Sequence, residues 1–245
     1  RLDSLRSDVS RRGRPRLRLG RGHGAAVSYT GSRARSHRDG VGCRLILVAA
    51  SAAIALSPQV RAANADPAGE TVAATVFAGF RGFVENRGQW QTEAQFVADF
   101  DGLVVRAEPG AIVLQRSVEM AGRPRIGVVR FAFEDDESAQ PLSGERAPGE
   151  FHYFYGNDPS RWQRHVPAYR ELTYPGVSSG ADVTLYQRDG HLEYDVVFPP
   201  AVDCESFAVR CEGVSGIAIE ANGDLRLDTP LGPIVQSAPV ARQVT

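Results

Sequence analysis

Residues 96–105 read Phe96-Val97-Ala98-Asp99-Phe100-Asp101-Gly102-Leu103-Val104-Val105. Phe96, Ala98 and Phe100 alternate along one face of an extended chain until Asp101-Gly102, where a second apolar run begins. A period of two marks a half-buried strand. Asp-Gly between two such runs is a hairpin signal, because both central turn positions need positive φ. A helix would space its apolar residues three and four apart, and no long stretch after residue 80 does so.

The same reading extends outward. Val104-Val105 and Ile112-Val113-Leu114 flank Glu108-Pro109-Gly110, a second expected hairpin. Further strands are expected from Ile126 to Phe133, Asp182 to Gln187, His191 to Phe198 and Phe207 to Cys211. Ile217 and Ile219 should face Leu225 and Leu227 across Asn222-Gly223-Asp224. Short strands rich in Val, Phe and Tyr and punctuated by Gly and Pro point to an all-β fold, an antiparallel β-sandwich-like module. The less regular stretch from Gly144 to Gly180 holds Phe151, Tyr153, Phe154, Tyr155, Trp162, Tyr169 and Tyr174. It is expected to be a long ordered excursion that packs across a sheet.

The N-terminal part has a different chemistry. The chain has 245 residues and a net charge of -1, and all 28 of its basic residues are Arg. Residues 1–65 carry 13 Arg against Asp3, Asp8 and Asp39, whereas residues 66–245 carry 15 Arg against 26 acidic residues. An acidic body argues against contact with a phosphate backbone. The uncharged run Leu45–Leu56 follows Arg44 and leads into Val60-Arg-Ala-Ala-Asn-Ala65. A basic region, a short apolar run and a small-x-small site make a secretory signal peptide, with cleavage expected after Ala65 and Ala62 as second choice. The run is short of the ~20 residues a membrane span needs, so membrane contact is expected only through export. Cys43 precedes the run, which rules out a lipoprotein signal. The Arg-, Gly- and Ser-rich residues 11–38 could be read as a nucleic-acid tail, but export separates such a tail from nucleic acid. The basic run is long for a leader and the chain begins without Met, so residues 1 to about 35 are expected to be an upstream extension. The expected organisation is extension and signal peptide over 1–65, linker over 66–79, and an all-β module over 80–245, secreted or at the cell surface.

Few constellations carry chemistry. His191, Glu193 and Asp195 share one strand face, with Leu192, Tyr194 and Val196 on the other. Carboxylates two residues apart on a strand lie ~6–7 Å apart, within the range of glycoside hydrolysis, and with His they could hold a metal. The plainer reading is a solvated strand face with Tyr194 in the core. The run Glu134-Asp-Asp-Glu137 lacks Ca²⁺-loop spacing and reads as a solvated strand end. Gly176-Val-Ser-Ser-Gly180 matches the letters of a nucleophile elbow, but not the strand-turn-helix context that exposes the Ser. Cys204 and Cys211 would be ~20 Å apart if 205–210 is one strand, and a bridge needs less than about 7 Å. A buried free thiol at Cys211 is therefore expected. No Cys-x-x-Cys or His-Glu-x-x-His pattern occurs, so no metal and no cofactor is expected.

Four ordered segments carry a resemblance. They are Phe83-Val-Glu-Asn-Arg-Gly-Gln-Trp90, then Gly156-Asn-Asp-Pro-Ser-Arg-Trp162 with Val166-Pro-Ala-Tyr169, Leu192-Glu-Tyr-Asp-Val196, and Gly223-Asp-Leu-Arg-Leu-Asp-Thr229. Over residues 80–240 the chain resembles the N-terminal domain of unknown function of bacterial surface proteins with SBBP-type β-propeller repeats. The resemblance implies a β-rich extracellular domain placed before repeats, with no catalytic residues to carry over. Cys204 and Cys211 depart from the family pattern. No repeat precedes Thr245, so a fragment or a stand-alone copy is expected.

Asn86, Arg87 and Gly88 suit a turn anchored by Trp90, and Asn157-Asp158-Pro-Ser suits another leading to Trp162. Within the motifs, Glu193, Tyr194 and Asp195 are read as structural. Trp90, Trp162 and Tyr169 are read first as core anchors and alternatively as an aromatic platform for sugars. The function expected is therefore a non-enzymatic extracellular structural or interaction module. Its expected partners are propeller repeats, another surface protein or a glycan. The alternatives are a carbohydrate-binding module and, behind it, a glycoside hydrolase using Glu193 and Asp195.

Overall fold

A computed structural model describes residues 80, 82–134, 136–200, 202, 204 and 207–244, with backbone alone at 243–244, and the backbone of three N-terminal strands at 16–18, 25–28 and 44–49. Two sheets face each other. The larger has the order β1 (Arg16–Arg18), β2 (Ala25–Ser28), β16 (Ala208–Glu212), β8 (Arg123–Phe133), β7 (Ala111–Met120), β6 (Leu103–Glu108), β5 (Phe96–Phe100), β4 (Phe83–Glu85) and β12 (Ala168–Tyr169). The second has the order β20 (Val240–Val244), β3 (Arg44–Ala49), β15 (His191–Phe198), β14 (Ala181–Arg188), β13 (Glu171–Gly176) and β9 (Leu142–Ser143). A hairpin of β10 (Phe151–Tyr153) and β11 (Gln163–Val166) and a three-stranded sheet of β17 (Gly216–Ile219), β18 (Leu225–Asp228) and β19 (Ile234–Gln236) complete it.

Local chemistry sets the hairpins. Asp101 (φ 53°) and Gly102 (φ 87°) make the turn between β5 and β6, and Gly102 N–H donates to Asp99 Oδ1 at 2.8 Å. Phe100 then pairs with Leu103 and Phe96 with Ala107. Ile217 pairs with Leu227 and Ile219 with Leu225, the register expected across Asn222-Gly223. The expected strands Asp182–Gln187 and His191–Phe198 join as a hairpin through Asp189 and Gly190 (φ 51° and 88°).

The main core follows from strand parity. Phe96, Ala98 and Phe100 of β5, Val105 of β6, and Ile112 and Leu114 of β7 meet Leu172, Tyr174, Val183, Leu185, Val196 and Phe198 of the other sheet. The opposite parity, Val84, Val97 and Val104, makes a second core on the outer face of the large sheet. Trp90, Tyr153, Val166 and Ala168 close over it. The stretch from 144 is thus the ordered excursion across a sheet that its aromatics led one to expect. The third sheet closes one end, setting Leu227 and Ile234 against Val129 and Cys211.

The hairpin β7–β8 is longer than its sequence pattern suggested. It continues to an Ala121-Gly122 turn (φ 53° and 71°) and leaves Met120, Ile126 and Val128 exposed. Apolar alternation marks only the half that reaches the core. Of the expected signal, Arg44–Ala49 runs as β3 between β15 and β20. The cleavage site Ala63-Asn-Ala65 and the linker 66–79 lie outside the described residues. Among the described residues no helix is long and apolar enough to cross a membrane.

Candidate functional site

The excursion is shaped by a cap and a bulge. Asp158 Oδ1 accepts from Ser160 N–H at 3.0 Å and from Ser160 Oγ at 2.7 Å, starting a single 3-10 turn over Pro159–Arg161. The Trp162 indole N–H donates to the Gly156 carbonyl at 3.2 Å, closing the loop between the two strands. Pairing then slips between Phe151↔Val166 and Tyr153↔Gln163. The slip is accommodated at His165, whose φ of +56° is unusual for a residue with a side chain. Phe151, Tyr153 and Val166 are thereby turned to the second core, with Trp90 edge-on to Tyr153 at 5.3 Å. His152, Phe154, Arg164 and His165 are left in solvent.

Those outward side chains form two adjoining groups. Phe154 and Trp162 meet edge to face at 5.2 Å, and the Arg164 guanidinium lies over both rings, 5.4 and 5.5 Å from their centroids. Phe154 is 55% exposed and Tyr155 45%. Beside them, the Glu150 carboxylate accepts from Arg146 Nη2 and contacts His165 Nδ1, both at 2.7 Å. The His165 hydrogen bond, with Arg146 behind it, holds the Glu150 carboxyl below its ordinary range. The backbone N–H of His165 donates to His152 Nδ1 at 3.3 Å, and the two imidazoles pack edge to face at 4.9 Å. Glu150, His152 and His165 each bring a ligand-type atom within 4.8 Å of the others. Spacings of two and thirteen residues, separated by a loop, give no sequence pattern for this cluster.

The residues singled out in the sequence are placed differently. Trp90 is buried at 8% exposure, Tyr169 packs against the main core edge-on to Phe96 at 5.7 Å, and Trp162 is half-buried on the hairpin. The three do not assemble into one platform. Trp90 packs in the second core on the outer face of the large sheet, whereas Tyr169 packs against the main core on the other face. Asn86 is the turn residue its motif implied. Its amide donates to the carbonyls of Trp90 and Ala94 at 3.1 and 2.8 Å, and its Oδ1 accepts from Gly88 and Trp90 N–H. Gly88 has φ 99°, and Arg87 makes an exposed pair with Glu85. Asn157 is exposed beside the Asp158 cap.

The solvated face expected for β15 needs correction. His191 is exposed, but Glu193 is only 6% exposed, with Arg188 Nη1 3.1 Å from its Oε2. Glu193 pairs across strands with Tyr186, and the Arg188 guanidinium lies over the Tyr186 ring, so this pair of side chains roofs the carboxylate. Asp195 accepts from the Tyr186 hydroxyl at 2.9 Å. Ser178 is no exposed nucleophile. Its Oγ donates to the Ala208 carbonyl and accepts from the Ala208 N–H, tying the irregular turn Val177–Gly180 to β16. In the acidic run, Glu137 pairs with Arg210 at 3.5 Å, and Asp135 lies outside the described residues.

Between the two sheets and the end sheet lies a cavity of about 140 Å³, walled by Ile112, Phe131, Leu185, Tyr194, Cys211 and Leu225 among others. Tyr194 sits at its rim, where its hydroxyl accepts from Gln236 Nε2 at 2.5 Å. Cys211 is the buried free thiol that was expected, and burial pushes its pKa up to about 12 from 9.0. The thiolate is the nucleophile, and the raised pKa keeps the thiol protonated at neutral pH. Iodoacetamide should therefore modify Cys211 only after the chain is unfolded in guanidinium, which peptide mass spectrometry will read. A raised native pKa supports the fold below pH 9 and loses that support as pH climbs toward 12.

No curated protein and no solved structure matches the chain. Residues 83–245 match a family model described as Domain of unknown function (DUF7948), a span that begins at the first residue of β4 and takes in both cores, the hairpin and the end sheet. The chain belongs to this DUF7948 family.

Proposed function

We propose that the domain is a non-catalytic interaction module of an exported bacterial surface protein, and that hairpin β10–β11 is its binding face. The observation that carries this is the exposed Phe154, Tyr155 and Arg164 and the half-buried Trp162 on a hairpin whose other face is packed. Aromatic and Arg side chains are the types that dominate protein interfaces. The carboxylates a glycosidase would use, Glu193 and Asp195, are engaged by Arg188 and Tyr186, which supports a non-catalytic reading. Export rests on the Leu45–Ala65 pattern. Processing after Ala65 would remove β3 and leave the edges of β15 and β20 to pair with each other or with a partner strand.

A second reading is favoured by the same rings: a carbohydrate site built on Phe154, Tyr155 and Trp162 rather than on Trp90, Trp162 and Tyr169. The tagged natural gene product should be cut by external protease on intact cells and should begin near Asp66. A product held in the cytoplasm with residues 45–65 intact overturns the surface reading. A glycan array decides the second reading: signals abolished by Phe154→Ala/Trp162→Ala support it, and a blank array removes it.

A further inference from the structure

The geometry points to a transition-metal site of the zinc class on the outer face of hairpin β10–β11, with Glu150, His152 and His165 as ligands. This goes beyond the interaction reading and does not depend on it. Two imidazoles and one carboxylate form a borderline donor set that suits Zn²⁺ or Ni²⁺ and not Ca²⁺ or Mg²⁺, which take oxygen ligands. The ligand-type atoms lie within 4.8 Å of one another. Bonds of about 2.0–2.1 Å in a tetrahedral site place them about 3.4 Å apart. The closure needed is about 1 Å per side chain, and all three side chains are in solvent, free to make it.

The surroundings match what a ligand set needs. Arg146 holds Glu150 Oε1 at 2.7 Å and leaves Oε2 directed at His165, as an outer partner that orients a ligating carboxylate does. The positive φ of His165 brings its ring to the side of the hairpin that carries His152. The hydrogen bond between His165 Nδ1 and Glu150 Oε2 occupies the line a metal would bridge. Binding would replace that hydrogen bond with Glu–metal and His–metal bonds, the His165 ring proton moving to the nitrogen that does not ligate. Three protein ligands leave a fourth position to water.

The test is isothermal titration of the full chain, with any affinity tag removed, against ZnCl₂ and separately NiCl₂ at pH 7.5. One metal per chain is expected. His152→Ala and His165→Asn should each weaken binding at least about tenfold. Asn is chosen at 165 because it tolerates positive φ, and far-UV circular dichroism of each variant checks that the fold is kept. A wild-type chain that takes up neither metal at millimolar concentration overturns the proposal. So does a folded double variant that binds as tightly as the wild type, which would place the metal elsewhere.

Discussion

Replacing Tyr174 by Ala is expected to cost about 3–5 kcal/mol, the range for deleting a large buried aromatic. Tyr174 lies in β13 with none of its surface exposed, and its ring meets Phe133 of the opposite sheet at 5.0 Å and 61°. Its hydroxyl lies 2.9 Å from the Glu108 carbonyl and 2.8 Å from the Ala111 carbonyl, on the two sides of the β6–β7 turn. One side chain thus fills the space between the sheets and ties a turn of one sheet to a strand of the other. Tyr174→Phe separates the two roles. It keeps the ring and removes the one hydroxyl proton that the two carbonyls share, at a cost of about 1–3 kcal/mol. Burial pushes the phenol pKa far up, so the group stays neutral and its contribution is constant through neutral pH. Urea denaturation followed by Trp fluorescence will measure both. A domain holds about 5–15 kcal/mol in all, so the Ala variant should be near the edge of folding. An Ala variant as stable as the Phe variant would show that the ring is not packed as described.

The second large effect is expected at Arg106. Its Nε lies 3.2 Å from Glu108 Oε1, with the two side chains 11% and 10% exposed on the outer face of the large sheet. Arg130 Nε reaches Glu108 Oε2 at 3.8 Å, and Arg130 in turn reaches Glu212 at 3.9 Å. Arg106→Met removes a buried cationic partner of a buried carboxylate, a change that typically costs about 3–5 kcal/mol. Adding Glu108→Leu removes the buried carboxylate as well and should restore most of that loss, because the ion pair itself gains little once desolvation is counted. The double-mutant cycle is the measurement. The Arg106→Met loss should change little in 0.5 M NaCl, since buried pairs are weakly screened. Salt that erases the loss, or a double variant less stable than the single, would contradict the buried-pair account.

The sequence was legible where a local rule decides the outcome. Asp101-Gly102 and Gly223 name their turns because so few residues accept positive φ, and the flanking alternation then has one sensible register. The excursion from Gly144 was legible as a packed segment because seven aromatic residues cannot all be left in water. It was not legible which of its rings would stay outside. The slip at His165 decides that by turning Arg164 and His165 out and Val166 in, and a one-residue slip inverts every side chain beyond it.

Glu193 shows the same limit. Its spacing with His191 and Asp195 correctly places it on the face opposite Val196, but burial of that face depends on Tyr186 and Arg188 arriving from the neighbouring strand. The Glu150, His152 and His165 cluster was invisible for a related reason. Two of its members sit on one strand and its approach, and the third arrives across a loop, so their proximity is a property of pairing.

By itself, then, the sequence determined the β class of this protein, the main hairpins with their registers, the buried thiol at Cys211 and the presence of an ordered aromatic segment. These rest on backbone preferences and on a period of two, both readable within a few residues. Only the tertiary structure decided the Trp90 and Tyr169 environments, the roof over Glu193 and the outward grouping on hairpin β10–β11. Each depends on which strand lies beside which and on a single bulge, and contacts between residues far apart in the chain leave no mark in local pattern.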